Sequence, residues 1–235
     1  FDLGISSMQI FNLDRGFSFK SKSNVDMRMG LNSISAQDVL NKYDFKKLKN
    51  IIKYFGDEKE SSRIASNIIK HRKIKPISTI PELVEIIKKS KKRDFKKKTN
   101  ISTQVFQAIR IFVNKEISEL IEGLINATKL LKSQGTIIII SFHSIEDKII
   151  KFFFTNFSKN QSRGSRYYPD KFQKKILFEN YGNRIIRPSS KEILFNNPSR
   201  SAKLRFAIRA KDSFLYPIDF KNRFSHYLEL ENRYV

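Results

Sequence analysis

Four consecutive isoleucines, Ile137–Ile140, run directly into Ser141-Phe142-His143-Ser144. Branching at Cβ stiffens such residues and suits them to a pleated strand. An apolar residue at every position predicts burial on both faces, as in a central parallel strand. The abrupt change to hydroxyls and an imidazole then marks the strand's carboxyl end. The opening residues repeat the pattern, with Phe1-Asp2-Leu3-Gly4 leading into Ile5-Ser6-Ser7-Met8-Gln9. Ligands of open α/β sheets bind beyond the carboxyl ends of strands, so two such ends predict one shared site. The chain opens without Met on the last apolar residues of a strand, and it is read as the C-terminal portion of a longer protein.

Between these strand ends the period changes to that of helices. Leu48, Ile51, Ile52 and Phe55 lie at helical spacing, with Gly56 as a stop. Asp57-x-x-Glu60 has the form of a capping box before Ile64, Ala65, Ile68 and Ile69, and Thr79-x-x-Glu82, with Pro81 in the first turn, opens a further helix through Leu83, Ile86 and Ile87. From Thr103 to Leu131 apolar residues again recur helically, and Ser133-Gln134-Gly135 turns the chain into the isoleucine strand. Ser144-x-x-Asp147 caps the helix after it. Later, residues 174–179 suit a strand, and Leu204, Phe206 and Ile208 alternate with Lys203, Arg205 and Arg209, the period-2 signature of a strand with one polar face. Helix, buried strand and helix followed by antiparallel strands predict an α/β sheet with a modified edge.

Charge narrows the partners. The 235 residues carry 46 Lys and Arg against 23 Asp and Glu, a formal charge of +23. A surface of that sign attracts polyanions through counterion release and steering. The charge is also clustered, since eight of the eleven positions from Lys88 to Lys98 are basic. The alternatives are a nucleotide composition that inflates Lys, Ile and Asn, and a solvated face. At 40% hydrophobic residues the chain can bury a core. It has no Cys, which excludes disulfides and thiolate chemistry for the residues present, and three His make a His-based metal cluster improbable. No apolar run approaches the roughly 20 residues that span a bilayer. No membrane partner and a cytoplasmic location are therefore expected.

Five groups of residues, in order, carry a family resemblance. They are Asp2–Gln9; Arg15-Gly16-Phe17-Ser18-Phe19 with Asp26-Met27-Arg28-Met29; Phe106-Gln107-Ala108-Ile109-Arg110 with Val113-Asn114-x-Glu116; Ser141–Asp147; and Asn197-Pro198-Ser199-Arg200-Ser201-Ala202-Lys203-Leu204-Arg205. Together they resemble the bacterial small-subunit (16S) ribosomal RNA cytosine-N4 methyltransferases, the MraW family, up to about Ala210. The resemblance implies a Rossmann-like class I S-adenosylmethionine-dependent methyltransferase with an inserted all-helical domain. The expected division is a discontinuous core at 1–30 and 101–210, a helical RNA-recognition domain at 31–100 and a tail at 211–235. It further implies that a Gly-rich loop and a ribose-binding acid lie upstream of Phe1, so that the chain alone carries only part of the cofactor site. Ser102-Thr103-Gln104-Val105 departs from the family's usual Ala-Thr-Arg-Thr, Gly30 replaces a common acid, and Met8 a common Pro.

The resemblance assigns Asp2 and Gln9 to S-adenosylmethionine. A carboxylate accepts from amino groups, and an amide pairs with adenine or a carboxylate; the structural alternative for Asp2 is a helix or turn cap. Methylating an exocyclic amine needs a hydrogen-bond acceptor near its N–H and in-line alignment, which makes Asp2 a catalytic candidate with Ser6 and Ser7 beside it. His143 is the candidate proton acceptor, its alternative being a residue that satisfies loop backbone. Arg28, Arg110, Arg200, Lys203 and Arg205 are candidates for phosphate contact with 16S ribosomal RNA, against salt bridges to Asp26, Glu116 or Glu146, and Lys91 and Lys92 of the basic run are candidates against a solvated face. Phe17 and Phe19 could stack on a base, but core packing is the simpler role. The competing functions are methylation of another RNA position and a non-catalytic RNA-binding module on the same scaffold.

Overall fold

The computed structural model describes residues 1–30, 32–91, 100–158, 176–181 and 185–232. The chain divides into two compact units, one of residues 1–4 with 117–226 and one of residues 5–116 with 227–235. The first mixes sheet and helices, the α/β class expected.

In the first unit, helix α7 (Glu116–Leu130) precedes strand β1 (Thr136–Ser141), helix α8 (Ser144–Asn156) follows it, and strands β2 (Phe178–Tyr181) and β3 (Lys203–Arg209) complete a sheet of order β1-β3-β2. Both pairings with β3 are antiparallel. The other edge of β1 takes the opening segment in parallel, with Asp2 beside Ile140. The antiparallel edge and the neighbouring strand ends are thus as expected.

Which face of the sheet is inside is not. Ile137 and Ile139 are buried, whereas Ile138 is 50% exposed. In the ladder Ile138 stands opposite Phe206 and Ile140 opposite Leu204, and these side chains with Ile208 share the half-open face. The covered face carries Ile137, Ile139, Ala207 and two arginines, Arg205 and Arg209, at 2% and 4% exposure. The expected polar face of β3 is therefore the interior one. Both cations are satisfied there: Arg205 by Asp147 of α8, and Arg209 by the carbonyls of Thr128, Leu177, Ala210 and Asp212. Those partners place α7 and α8 on this face.

Helix α9 (Ser190–Phe195) precedes β3, and residues 211–232 fold after it, with helix α10 (Ile218–Arg223) leading to α11 (Ser225–Asn232). Phe220 is fully buried, with its ring centroid 4.5 Å from that of Phe153, and Phe224 meets Phe152 edge-on at 5.3 Å. Rings of this size dominate core energetics where they bury fully.

The second unit is helical: α1 (Ser7–Phe11), α2 (Ala36–Lys42), α3 (Phe45–Gly56), α4 (Ser61–Arg72), α5 (Ile80–Ser90) and α6 (Thr103–Asn114). Leu48, Ile51, Ile52 and Phe55 are fully buried, as are Ile64, Ala65, Ile68, Leu83 and Ile87. Residues 5–30 and α6 belong here by their contacts, so this unit extends beyond the expected bounds of 31–100. Phe106, Ile109 and Phe112 of α6 are buried, and α3 is its main neighbour.

Three local expectations differ. The helix expected from 103 to 131 breaks at Lys115, whose left-handed backbone (φ 50°) ends α6. Asp57-x-x-Glu60 makes no capping box, because Asp57 is itself left-handed (φ 51°) at the end of α3. Thr79-x-x-Glu82 does behave as expected: Glu82 accepts from the backbone of Ser78 and Thr79 at 2.9 and 3.0 Å.

Candidate functional site

The first unit builds a polar edge where its parallel segments end. Leu3 N–H donates to the Ile140 carbonyl at 3.0 Å, and Ile140 N–H donates to Phe1 at 2.9 Å. These bonds hold Asp2 at the carboxyl end of β1, with its side chain exposed. Gly4 follows with φ +87°, a left-handed turn that side chains disfavour, and this turn ends the strand beside Phe142. The Asp2 carboxylate, with no partner among the described residues, can accept hydrogen bonds from a ligand that brings amino groups.

His143 lies in the loop after β1 and takes the structural alternative. It is the N-cap of α8, its Nδ1 accepting from Glu146 N–H at 3.4 Å. Glu146 reaches back to accept from the backbone of Phe142 and His143 at 3.0 and 3.4 Å. The cap is thus one residue earlier than Ser144-x-x-Asp147 predicts. His143 Nε2 is enclosed, 3.1 Å from Glu146 Oε1. An enclosed imidazole clamped at a helix start suits positioning of the loop better than proton acceptance at its surface.

Asp147, released from capping, anchors β3 instead. Burial alone would raise its carboxyl, but the hydrogen bonds from Arg205 and Lys203 outweigh that and hold it below the usual range. Arg205 and Lys203, both expected at phosphates, therefore point to this carboxylate at 2.7 and 3.1 Å.

In the second unit Gln9 closes a small capping box on α1, its Oε1 accepting from Ser6 N–H at 2.9 Å and its own N–H donating to Ser6 Oγ at 3.3 Å. Gly16, with φ +72°, has no room for a side chain, since a Cβ would lie 2.6 Å from the Asn24 carbonyl. Phe17 is buried and Phe19 meets Phe106 edge-on at 6.3 Å, so both pack rather than stack on a base. Sequence reading missed the organising role of Asn114. Its amide donates to the carbonyls of Met27 and Arg110 at 2.8 Å each and accepts from Met29 N–H at 2.7 Å. These bonds hold buried Met27 in a left-handed conformation, φ 59°. Its place two residues before Glu116 in the resembling motif was the available signal.

The remaining basic candidates sort by partner. Arg110 makes a two-pronged pair with Glu116 at 2.8 and 2.9 Å. Lys91 is largely buried against Glu58 and donates to the Ile101 carbonyl at 3.0 Å. Arg110 takes the salt-bridge alternative, and Lys91 is held internally rather than on a solvated face. Arg28 pairs with Asp26 while remaining half exposed. Arg200 is exposed and bonds only to Asn197 among the described residues. Lys92 and the rest of the basic run to Lys98 lie outside the described residues.

An α/β unit in which an opening segment runs parallel to the end of β1 and there presents a carboxylate, unpaired among the described residues, and a left-handed glycine has the form of a ligand-binding sheet edge. The chain belongs to the MraW methylase family, whose model matches residues 1–210. It is similar to "Ribosomal RNA small subunit methyltransferase H" of Agrobacterium fabrum, at 41% identity over 208 residues, 88% of this chain and 61% of that protein. The proteins of the same name from Sinorhizobium fredii and Rhizobium meliloti are 41% and 40% identical, over 89% of this chain and 61% of theirs. The chain thus spans about 61% of the length of these curated relatives. Among the described residues no helix is long and apolar enough to cross a membrane.

Proposed function

We propose that the protein containing this chain is an S-adenosylmethionine-dependent methyltransferase acting on N4 of a cytidine in small-subunit (16S) ribosomal RNA, working in the cytoplasm. The observation that carries the reading is Asp2, presented by a parallel pairing with Ile140 at a sheet edge within a chain matched over residues 1–210. The printed name of the relatives supports the small-subunit substrate.

When bound, S-adenosylmethionine supplies an electrophilic methyl group. Asp2 and Gln9 are the residues of this chain assigned to hold it. Cytosine N4 donates two N–H bonds while its lone pair is delocalised into the ring, so it needs an acceptor that orients it. The Asp2 carboxylate and the carbonyls of the adjoining loop are such acceptors, and positioning of this kind supplies much of a rate when the electrophile is already reactive. The His143–Glu146 clamp sets the shape of the loop after β1 and acts as a positioning pair. Of the arginines in the matched motifs, Arg200 and Arg28 retain exposure for phosphate contact.

The test is calorimetry of S-adenosylmethionine binding to the full gene product and to Asp2→Ala in it. Loss of affinity of about tenfold or more, as expected for a hydrogen bond to a charged group, supports the assignment. Equal affinities overturn the placement of the cofactor at Asp2.

A further inference from the structure

Helix α3 presents an outer face that carries cations and no acid. Its sequence, Phe45-Lys46-Lys47-Leu48-Lys49-Asn50-Ile51-Ile52-Lys53-Tyr54-Phe55-Gly56, contains four lysines and no carboxylate. On α2 and α5 a lysine is paired in place: Lys42 with Asp38 at 2.7 Å, and Lys89 with Glu85 at 2.6 Å. Lys46, Lys49 and Lys53 have no carboxylate within 4.0 Å among the described residues.

At helical spacing these three fall on one stripe about 60° wide and about 10 Å long. Lys46 and Lys53 are exposed and Lys49 is half exposed. Lys53 Nζ sits 5.3 Å from the ring centroid of Tyr54, which is 40% exposed. Like charges at i, i+3 and i+4 cost stability on a helix, so an unrelieved stripe is a local liability that an anionic ligand would remove.

We propose that the Lys46–Lys49–Lys53 stripe of α3 contacts the phosphate backbone of RNA, giving the helical unit a binding face built on a single helix. This rests on the reading that the chain engages RNA. Phosphates spaced along a strand match lysines spaced along a helix, and neutralising them releases counterions. A membrane surface is the less suitable polyanion. An interfacial helix must insert an apolar face, and that of α3 is already used, with Leu48, Ile51, Ile52 and Phe55 fully buried.

The experiment measures binding of residues 1–235 to a fluorescein-labelled single-stranded RNA 20-mer across a salt series. The variants are Lys46→Gln/Lys49→Gln/Lys53→Gln and a charge-matched control, Lys129→Gln/Lys148→Gln/Lys151→Gln, all exposed residues of the first unit. Gln keeps helix propensity, and circular dichroism checks the fold. The stripe variant should lower the slope of log affinity against log salt by about 2, at about 0.7 per contact, and the control by less than 1. Lys46→Arg/Lys49→Arg/Lys53→Arg should restore the slope. Equal losses in both Gln variants, no loss in the stripe variant, or loss confined to phosphatidylserine vesicles would overturn the proposal. Failure of the unaltered chain to bind RNA would overturn the RNA reading with it, whereas binding with an unaltered slope defeats the stripe alone.

Discussion

Asp147 accepts a hydrogen bond from Arg205 Nε at 2.7 Å, joining the first turn of α8 to the centre of β3 on the covered face of the sheet. Lys203 Nζ, 3.1 Å from the second carboxylate oxygen, completes the group. One carboxylate thus serves two cations, one of them almost wholly buried, and locks the loop after β1 to the strand beside it.

Removing that carboxylate should therefore be costly. Asp147→Ala removes the carboxylate that receives Lys203 and the buried Arg205, a change worth on the order of 3 kcal/mol. Urea unfolding should show a lowered midpoint with an unchanged slope. A shift in midpoint equivalent to less than about 0.5 kcal/mol, the usual range for surface changes, would contradict the role given to the pair.

That pair also explains what sequence could and could not reveal. The strand β1, its polar exit and helices α3, α4 and α5 were legible, because apolar period and length suffice to identify them. The direction of β3's faces was not. Alternation of Leu204, Phe206 and Ile208 with Lys203, Arg205 and Arg209 gives the period but not which side is covered, and the usual preference for apolar interiors points the wrong way. The arginines are inside only because α8 brings Asp147 and the chain brings four carbonyls. The cap of α8 was misplaced by one residue for a related reason: Ser144 is the commoner capping type, yet His143 takes the position. In the candidate site, Asp2 was legible as a strand-end acid. The internal pairing of Arg110, Lys91 and Lys203 was not, since basic residues in a motif look alike until their partners are known.

Asn114→Ala should loosen the backbone from Met27 to Met29. The substitution strands Met29 N–H and the Met27 carbonyl and releases a left-handed Met27. A loss of about 2 kcal/mol is expected. Faster amide hydrogen exchange at Met29 than in α3 of the same variant is the specific signature, and uniform exchange would contradict it.

Acid should weaken the helical unit. Lys75, together with the Ser78 backbone, holds the Glu82 carboxyl down at about 2 from 4.5, and Lys42 with Ser35 holds Asp38 at about 2 from 3.8. Both carboxyls bind protons more weakly folded than unfolded. Their contribution is complete above about pH 4.5 and is lost as pH falls toward 2. The melting temperature should drop through that window, and Glu82→Gln should make the drop shallower. Identical profiles for the two proteins would refute the linkage.

The central claim is methyl transfer to cytosine N4 in small-subunit ribosomal RNA. The direct measurement is nucleoside mass spectrometry of that RNA from a strain deleted for the full gene, complemented with the unaltered gene or with Asp2→Ala. N4-methylcytidine should be absent in the deletion, return with the unaltered gene, and fall at least tenfold with Asp2→Ala. Methyl on C5, on the ribose alone, or nowhere after complementation with the unaltered gene would contradict the account.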